Sequence, residues 1–160
     1  MPEVSVRFAV EADVERLYQL IVDLAEYERA PEAVVGTPGM LRKWLFGASP
    51  AAEALIAEVD GRTAGFALFH QTFSTWECAP GIWLEDLFVR QKERRAGVGE
   101  ALLRRLAAVT VERGHTRLGW AVLDWNEMAL GFYEKLGAEL LGEWKLHRLS
   151  GASLTALAGR

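Results

Sequence analysis

The spacing of apolar residues changes several times along this 160-residue chain, and each change marks an element. Val4, Val6, Phe8 and Val10 alternate with polar or small residues, which predicts a first strand with one buried face. Over 12–28 the period lengthens, and Leu17, Leu20, Ile21, Leu24 and Tyr27 fall on one helical stripe. Thr37-Pro38 reads as an N-cap with proline at the first helical position, opening a short helix that Gly47 closes. Residues 54–59 and 63–73 read as strands, joined at Asp60-Gly61 by a hairpin turn. A strand over 82–89, a helix over 100–113, a strand over 118–123 and a helix over 126–136 follow. Residues 139–149 are expected to return as one or two final strands. The alternation of strands and helices predicts a mixed α/β sheet with helices on its faces, in a single domain spanning 1–160.

Composition narrows the function classes. Half of the residues are hydrophobic and a quarter charged, an ordinary globular balance. No apolar run approaches the roughly 18 residues that a membrane-spanning helix needs. Basic residues are few and the net charge is −4, so no nucleic-acid-binding arm is expected. Charge is uneven: residues 1–90 carry 14 acids against 7 bases, and residues 91–160 carry 8 acids against 11 bases. That asymmetry suits a site with an anionic ligand on one side and a cationic one on the other, although ordinary solvated surface would explain it equally well. The lone Cys78 and an opening Met1-Pro2-Glu3-Val4 without the pattern of a secretory signal predict the cytoplasm. His70, His115 and His147 are scattered without metal-ligand spacing, so no metal site is expected.

The most informative stretch is Arg94-Arg95-Ala96-Gly97-Val98-Gly99, set between a predicted strand and a predicted helix. A glycine-containing turn there leaves backbone N–H groups unpaired at the positive end of the helix dipole, a ready site for a phosphate or pyrophosphate. The stretch lacks the third glycine of a dinucleotide fingerprint and the Gly-Lys-Ser/Thr of a P-loop.

The same stretch resembles the acetyl-CoA loop of GNAT-type acyl-CoA N-acyltransferases, whose pattern is Arg/Gln-x-x-Gly-x-Gly/Ala. A second segment, from Asn126 through Ala129, Phe132 and Tyr133 to Gly137, resembles that family's Asn…Ala…Phe-Tyr-x-x-x-Gly element. Leu84-Glu85-Asp86-Leu87-Phe88-Val89, Asp124-Trp125-Asn126-Glu127 and Leu24-Ala25-Glu26-Tyr27-Glu28 are similar to the spermidine/spermine (diamine) branch, which also contains thialysine acetyltransferases. The resemblance covers essentially the whole chain. It implies a mixed, mostly antiparallel sheet of six to seven strands with helices on both faces, acetyl-CoA as co-substrate, a small-molecule amine as acceptor, and a homodimer.

Site residues follow from the resemblance. Backbone amides of Arg94, Arg95, Ala96, Gly97, Val98 and Gly99 would hold the pyrophosphate, with both arginine side chains near phosphate oxygens. Leu87, Phe88 and Val89 would offer backbone groups to the pantetheine arm. Asn126 would contact the same ligand, although an N-cap role explains that residue equally well. Tyr133 is the expected acid that protonates the departing thiolate, and packing alone is its competing explanation. Glu85 is favoured as base or amine orienter and Asp86 as a structural or substrate-binding partner; adjacent strand residues face opposite sides unless a bulge intervenes. Glu26, Tyr27, Glu28, Glu32, Trp76, Trp83 and Trp144 are candidates for a cation-binding pocket. The chain is shorter than the diamine branch between Tyr133 and Trp144, which leaves Glu143 without a transferred role. The rival readings are acetylation of another amine (a protein N-terminus, a lysine or an aminoglycoside) and an acyl-CoA sensor without turnover.

Overall fold

The computed structural model describes residues 1–160, which form two compact units, 1–121 and 122–160. In the first unit, strands β1 (Val4–Phe8), β2 (Glu53–Val59), β3 (Arg62–Ser74), β4 (Ala79–Val89) and β5 (Leu118–Trp120) form one sheet in that spatial order. The first four pair antiparallel, and β5 joins β4 parallel. Helices α1 (Val14–Tyr27) and α2 (Pro38–Phe46) follow β1, and α3 (Val98–Glu112) lies between β4 and β5.

Period-two alternation divides the sheet residues between the two faces. Ala54, Ile56, Phe66 and Phe88 bury against Leu17, Leu20 and Leu24 of α1 and Leu45 of α2. Leu55, Ala67, Phe69 and Leu84 bury on the opposite side, where α3 contributes Leu102, Leu106 and Val109. The turn chemistry works as the sequence implies. Asp60 and Gly61 both adopt positive φ, which a two-residue hairpin with matching twist requires. The Thr37 side chain accepts from the Met40 amide and caps α2.

In the second unit, α4 (Glu127–Lys135) is capped by the Asn126 side chain, and α5 (Gly151–Leu157) follows an irregular stretch. Five strands therefore form the sheet, not six to seven. The final strands expected over 139–149 are absent: Gly142 and Glu143 form a turn, and the segment joins no ladder. Trp144-Lys145-Leu146-His147 has strand-like alternation, but alternation gives a strand only where a neighbour supplies backbone partners. Its apolar side chains are accordingly exposed.

β5 is also shorter than expected, ending at Trp120 rather than at residue 123. The cause lies on β4. The register runs Phe69 opposite Leu84 and Leu68 opposite Asp86, so Glu85 is an extra residue, a β-bulge. A bulge bends its strand and disrupts the ladder, and pairing of β4 with β5 stops at Leu84. From Glu85 to Val89, β4 has a neighbouring strand on one side only.

Candidate functional site

The bulge decides where the acids point. Asp86 sits opposite Leu68, whose side chain packs toward α1 and α2. Trp83, opposite His70, lies on that same face, and its Nε1 donates to Glu85 Oε2 at 3.1 Å. His70 Nε2 lies 3.9 Å from the same carboxylate oxygen. Glu85 and Asp86 thus share one face, unlike the opposed pair that unbroken alternation would give. Glu28 joins them from the C-terminal end of α1.

The environments of these acids differ. The Asp86 carboxyl is pushed up to about 6, first by burial and then by the charges of Glu85 and Glu28. Burial also raises the Glu28 carboxyl above its ordinary value. Glu85 is exposed and held by the Trp83 indole. Three carboxyl groups beside an indole make a corner suited to a cation.

Along the chain from this corner lies the loop that leads into α3. The amides of residues 95–100 donate to no backbone or side-chain acceptor, and no side chain caps α3. Arg95 and Gly97 both have positive φ, at 76° and 77°. Glycine takes that conformation freely at 97, whereas arginine at 95 holds it at a cost of about 1 kcal/mol. The space that a Gly97 Cβ would enter is open, and a Cβ on Gly99 would meet only Val89 Cγ2 at 3.7 Å. The protein itself therefore leaves room above both glycines.

Arg94 departs from the expected arrangement. Its Nε donates to the Val89 carbonyl at 3.1 Å, and its guanidinium lies 4.4 Å from the centre of the Tyr27 ring and 5.9 Å from that of Phe88. The group is thus engaged by the protein rather than directed at the loop. Asp23, Glu26, Tyr27, Phe88, Arg90, Gln91 and Arg94 line a recess of about 360 Å³. Arg90 closes one wall through Asp23 at 3.3 Å and the Thr63 carbonyl at 3.2 Å.

In the second unit, the Asn126 side-chain oxygen Oδ1 accepts from the Ala129 amide at 3.2 Å, so its cap role is real. Tyr133 packs beside Phe132, with ring centres 5.4 Å apart, and burial raises its phenol above the usual value. Trp144 is exposed beyond the turn at 142–143.

Among the residues singled out from sequence, the structure gathers Trp83, Glu85, Asp86 and Glu28 at one corner and Tyr27, Phe88 and Arg94 at another. Glu26 lines the recess. Glu32 lies in an exposed turn and Trp76 at the exposed tip of the β3–β4 hairpin. His70 and Arg90 were missed as members of the neighbourhood. The signal for His70 was the register of that hairpin, which the bulge shifts.

The profile of the acetyltransferase (GNAT) family matches residues 14–138, which spans most of the chain. A thialysine N-epsilon-acetyltransferase of Bos taurus is 34% identical over 171 aligned positions, covering the whole of both chains. An L-ornithine N5-acetyltransferase of Arabidopsis thaliana is 29% identical, covering 95% of this chain and 86% of that protein. Among solved structures, an integron cassette protein from the mobile metagenome of V. cholerae has the same fold, with a TM-score of 0.82 at 24% identity over 98% of each chain.

Proposed function

We propose that this chain, which belongs to the acetyltransferase (GNAT) family, transfers the acetyl group of acetyl-CoA to a primary amine of a small diamine-like or thialysine-like molecule. The observation that carries the reading is the pairing, within residues 1–121, of a loop with unengaged amides and an acidic corner on one strand, β4.

The residues fit the donor. The amides of 95–100 suit a pyrophosphate, and the room above Gly97 and Gly99 admits it closely. The one-sided edge of β4 from Glu85 to Val89 suits an extended arm bearing amides, with Leu87, Phe88 and Val89 as its neighbours.

The reaction forms a C–N bond and breaks a C–S bond. The protonated amine is drawn to Glu28, Glu85 and Asp86 and surrenders a proton to one of the β4 carboxylates, with Glu85 the more accessible base. The freed amine attacks the thioester carbon, and its nitrogen loses a second proton to solvent as the C–S bond breaks. Tyr133, the acid that the family resemblance implies, gives its proton to the departing thiolate and regains one from solvent. A phenol whose pKa burial raises holds that proton through the neutral range. Holding both reactants in one ternary complex supplies proximity. The relatives that act on thialysine and L-ornithine support an acceptor with a terminal amine on a flexible chain. The exposed free thiol of Cys78 supports a reducing compartment such as the cytoplasm. Exposed Leu140, Trp144 and Leu146 support association of two copies.

The test is direct. Acetyl-CoA well above its dissociation constant should raise Tm by mass action, and a panel of diamines, thialysine, ornithine, lysine peptides and aminoglycosides should release thiol for the first three only. Failure of acetyl-CoA to stabilise the protein sinks the cofactor reading. Binding without transfer to any amine favours a sensor instead.

A further inference from the structure

We propose that Arg94 is a positioning residue, a strap that fixes the anion loop to the end of α1, rather than a ligand of the phosphates; the inference rests on the acetyl-CoA reading above. Arg94 begins the loop, and its side chain turns back from it. The Arg90 amide donates to Ala64 on β3, so the Val89 carbonyl, one residue earlier on the pleat, points to the side where β4 has no strand neighbour. Arg94 Nε takes that carbonyl at 3.1 Å. The same guanidinium carbon lies over the ring of Tyr27, the last residue of α1, 4.4 Å from its centre, with Phe88 as a second aromatic neighbour at 5.9 Å.

One planar group therefore joins three elements: the loop, the open edge of β4, and the end of α1. Glu28, which faces Asp86, is the residue after Tyr27. The strap ties the residues that hold the donor to those that hold the acceptor. Lysine cannot replace it, because an ammonium offers neither the flat face nor the fixed Nε donor. A phosphate ligand would behave otherwise, since there charge is the main requirement.

The experiment compares Arg94→Gln, Arg94→Lys, Tyr27→Ala, Tyr27→Phe and the double variant Arg94→Gln/Tyr27→Ala. Coenzyme A affinity is measured by calorimetry, and hydrogen exchange is measured without ligand at the Arg94 and Ala101 amides, which donate to the Gln91 and Gly97 carbonyls at the two ends of the loop. Loss of the stacking and the hydrogen bond should weaken coenzyme A binding by about 5- to 20-fold in Arg94→Gln. Arg94→Lys should stay as weak, Tyr27→Ala should match it, and Tyr27→Phe should bind as the parent does. The double variant should be no worse than about twofold beyond either single change, because both remove one contact. Exchange of these two bonded amides should quicken in every weakened variant. Recovery of affinity in Arg94→Lys, or a full Arg94→Gln penalty in the Tyr27→Ala background, overturns the strap. If the parent protein binds no coenzyme A, the functional reading fails instead, and the exchange data still decide whether the strap exists.

Discussion

Residues 1–121 and 122–160 are built on different terms. Every fully buried apolar side chain lies between Val14 and Val109, and none lies beyond residue 121. In the first unit, α3 buries Val98, Leu102, Leu103, Leu106 and Val109, so the anion loop at its start is anchored to a packed element. In the second, α4 buries no side chain fully and is defined by its ends, with Asn126 at the start and Gly137 in the left-handed conformation just after. The groups proposed to bind rest on packing. The group proposed to donate a proton rests on a helix held by its caps.

The sharpest way to break that comparison is to delete apolar bulk in each unit. Phe66→Ala, in the core beneath α1, should cost about 3–5 kcal/mol in urea unfolding. Leu146→Ala, at a position exposed in the single chain, should cost less than about 0.5 kcal/mol at concentrations where the protein is monomeric. A large loss at Leu146 in the monomer would show that 139–149 is buried within the chain and would remove the difference between the two units. Tyr133→Phe tests the chemical half. It should lower kcat by about 10²–10⁴-fold with Tm nearly unchanged. An unaltered rate across pH removes Tyr133 from the proton transfer.

Much of this contrast was legible in the sequence, and its limits are physical. The helical stripe of α1, the Asp60-Gly61 hairpin and the Thr37 cap depend on local spacing and turn chemistry, so they could be read directly. The bulge at Glu85 could not, because Leu84-Glu85-Asp86-Leu87 looks the same with or without an extra residue; only the pairing with Leu68 and Phe69 reveals it. Everything that follows from the bulge was hidden with it: the shared face of the two acids, the short β5 and the one-sided edge of β4. The contacts of the Arg94 side chain were hidden for a related reason. Sequence places it beside a phosphate loop, but an arginine side chain is long enough to reach away from its own backbone, and Tyr27 lies far off in the chain. The 139–149 segment shows the reverse error, a pattern that promised a strand where no ladder formed.

A smaller effect separates the acids of the first unit. Because the folded Asp86 carboxyl titrates near 6, above its ordinary value, the native state holds that proton more tightly than the unfolded chain does. Its stabilising contribution is complete below the unfolded value and is lost as pH rises through 6. Asp86→Asn should therefore raise stability by about 1–3 kcal/mol above pH 7, with the gain vanishing below about pH 4. The same variant should raise the KM of the amine, since one member of the acidic corner is gone. Equal gains at pH 4 and pH 8 would mean that relief of the charge is not the cause.

The smallest effect returns to the helix ends. Asn126 accepts from the Ala129 amide, and caps of this kind are worth about 1 kcal/mol. In a helix with a buried stripe, such a loss spreads over the whole folded unit. α4 has no such stripe, so Asn126→Ala should quicken hydrogen exchange across 127–135 while α3 exchanges as before. Asn126→Asp restores an oxygen acceptor and with it the cap, but it replaces the side-chain amide by a negative charge. If Asn126 also contacts the donor, Asn126→Asp should recover slow exchange yet bind coenzyme A more weakly than the parent. Recovery of both properties would confine Asn126 to the cap. Unchanged exchange in Asn126→Ala would show that α4 draws its order from something other than its first turn.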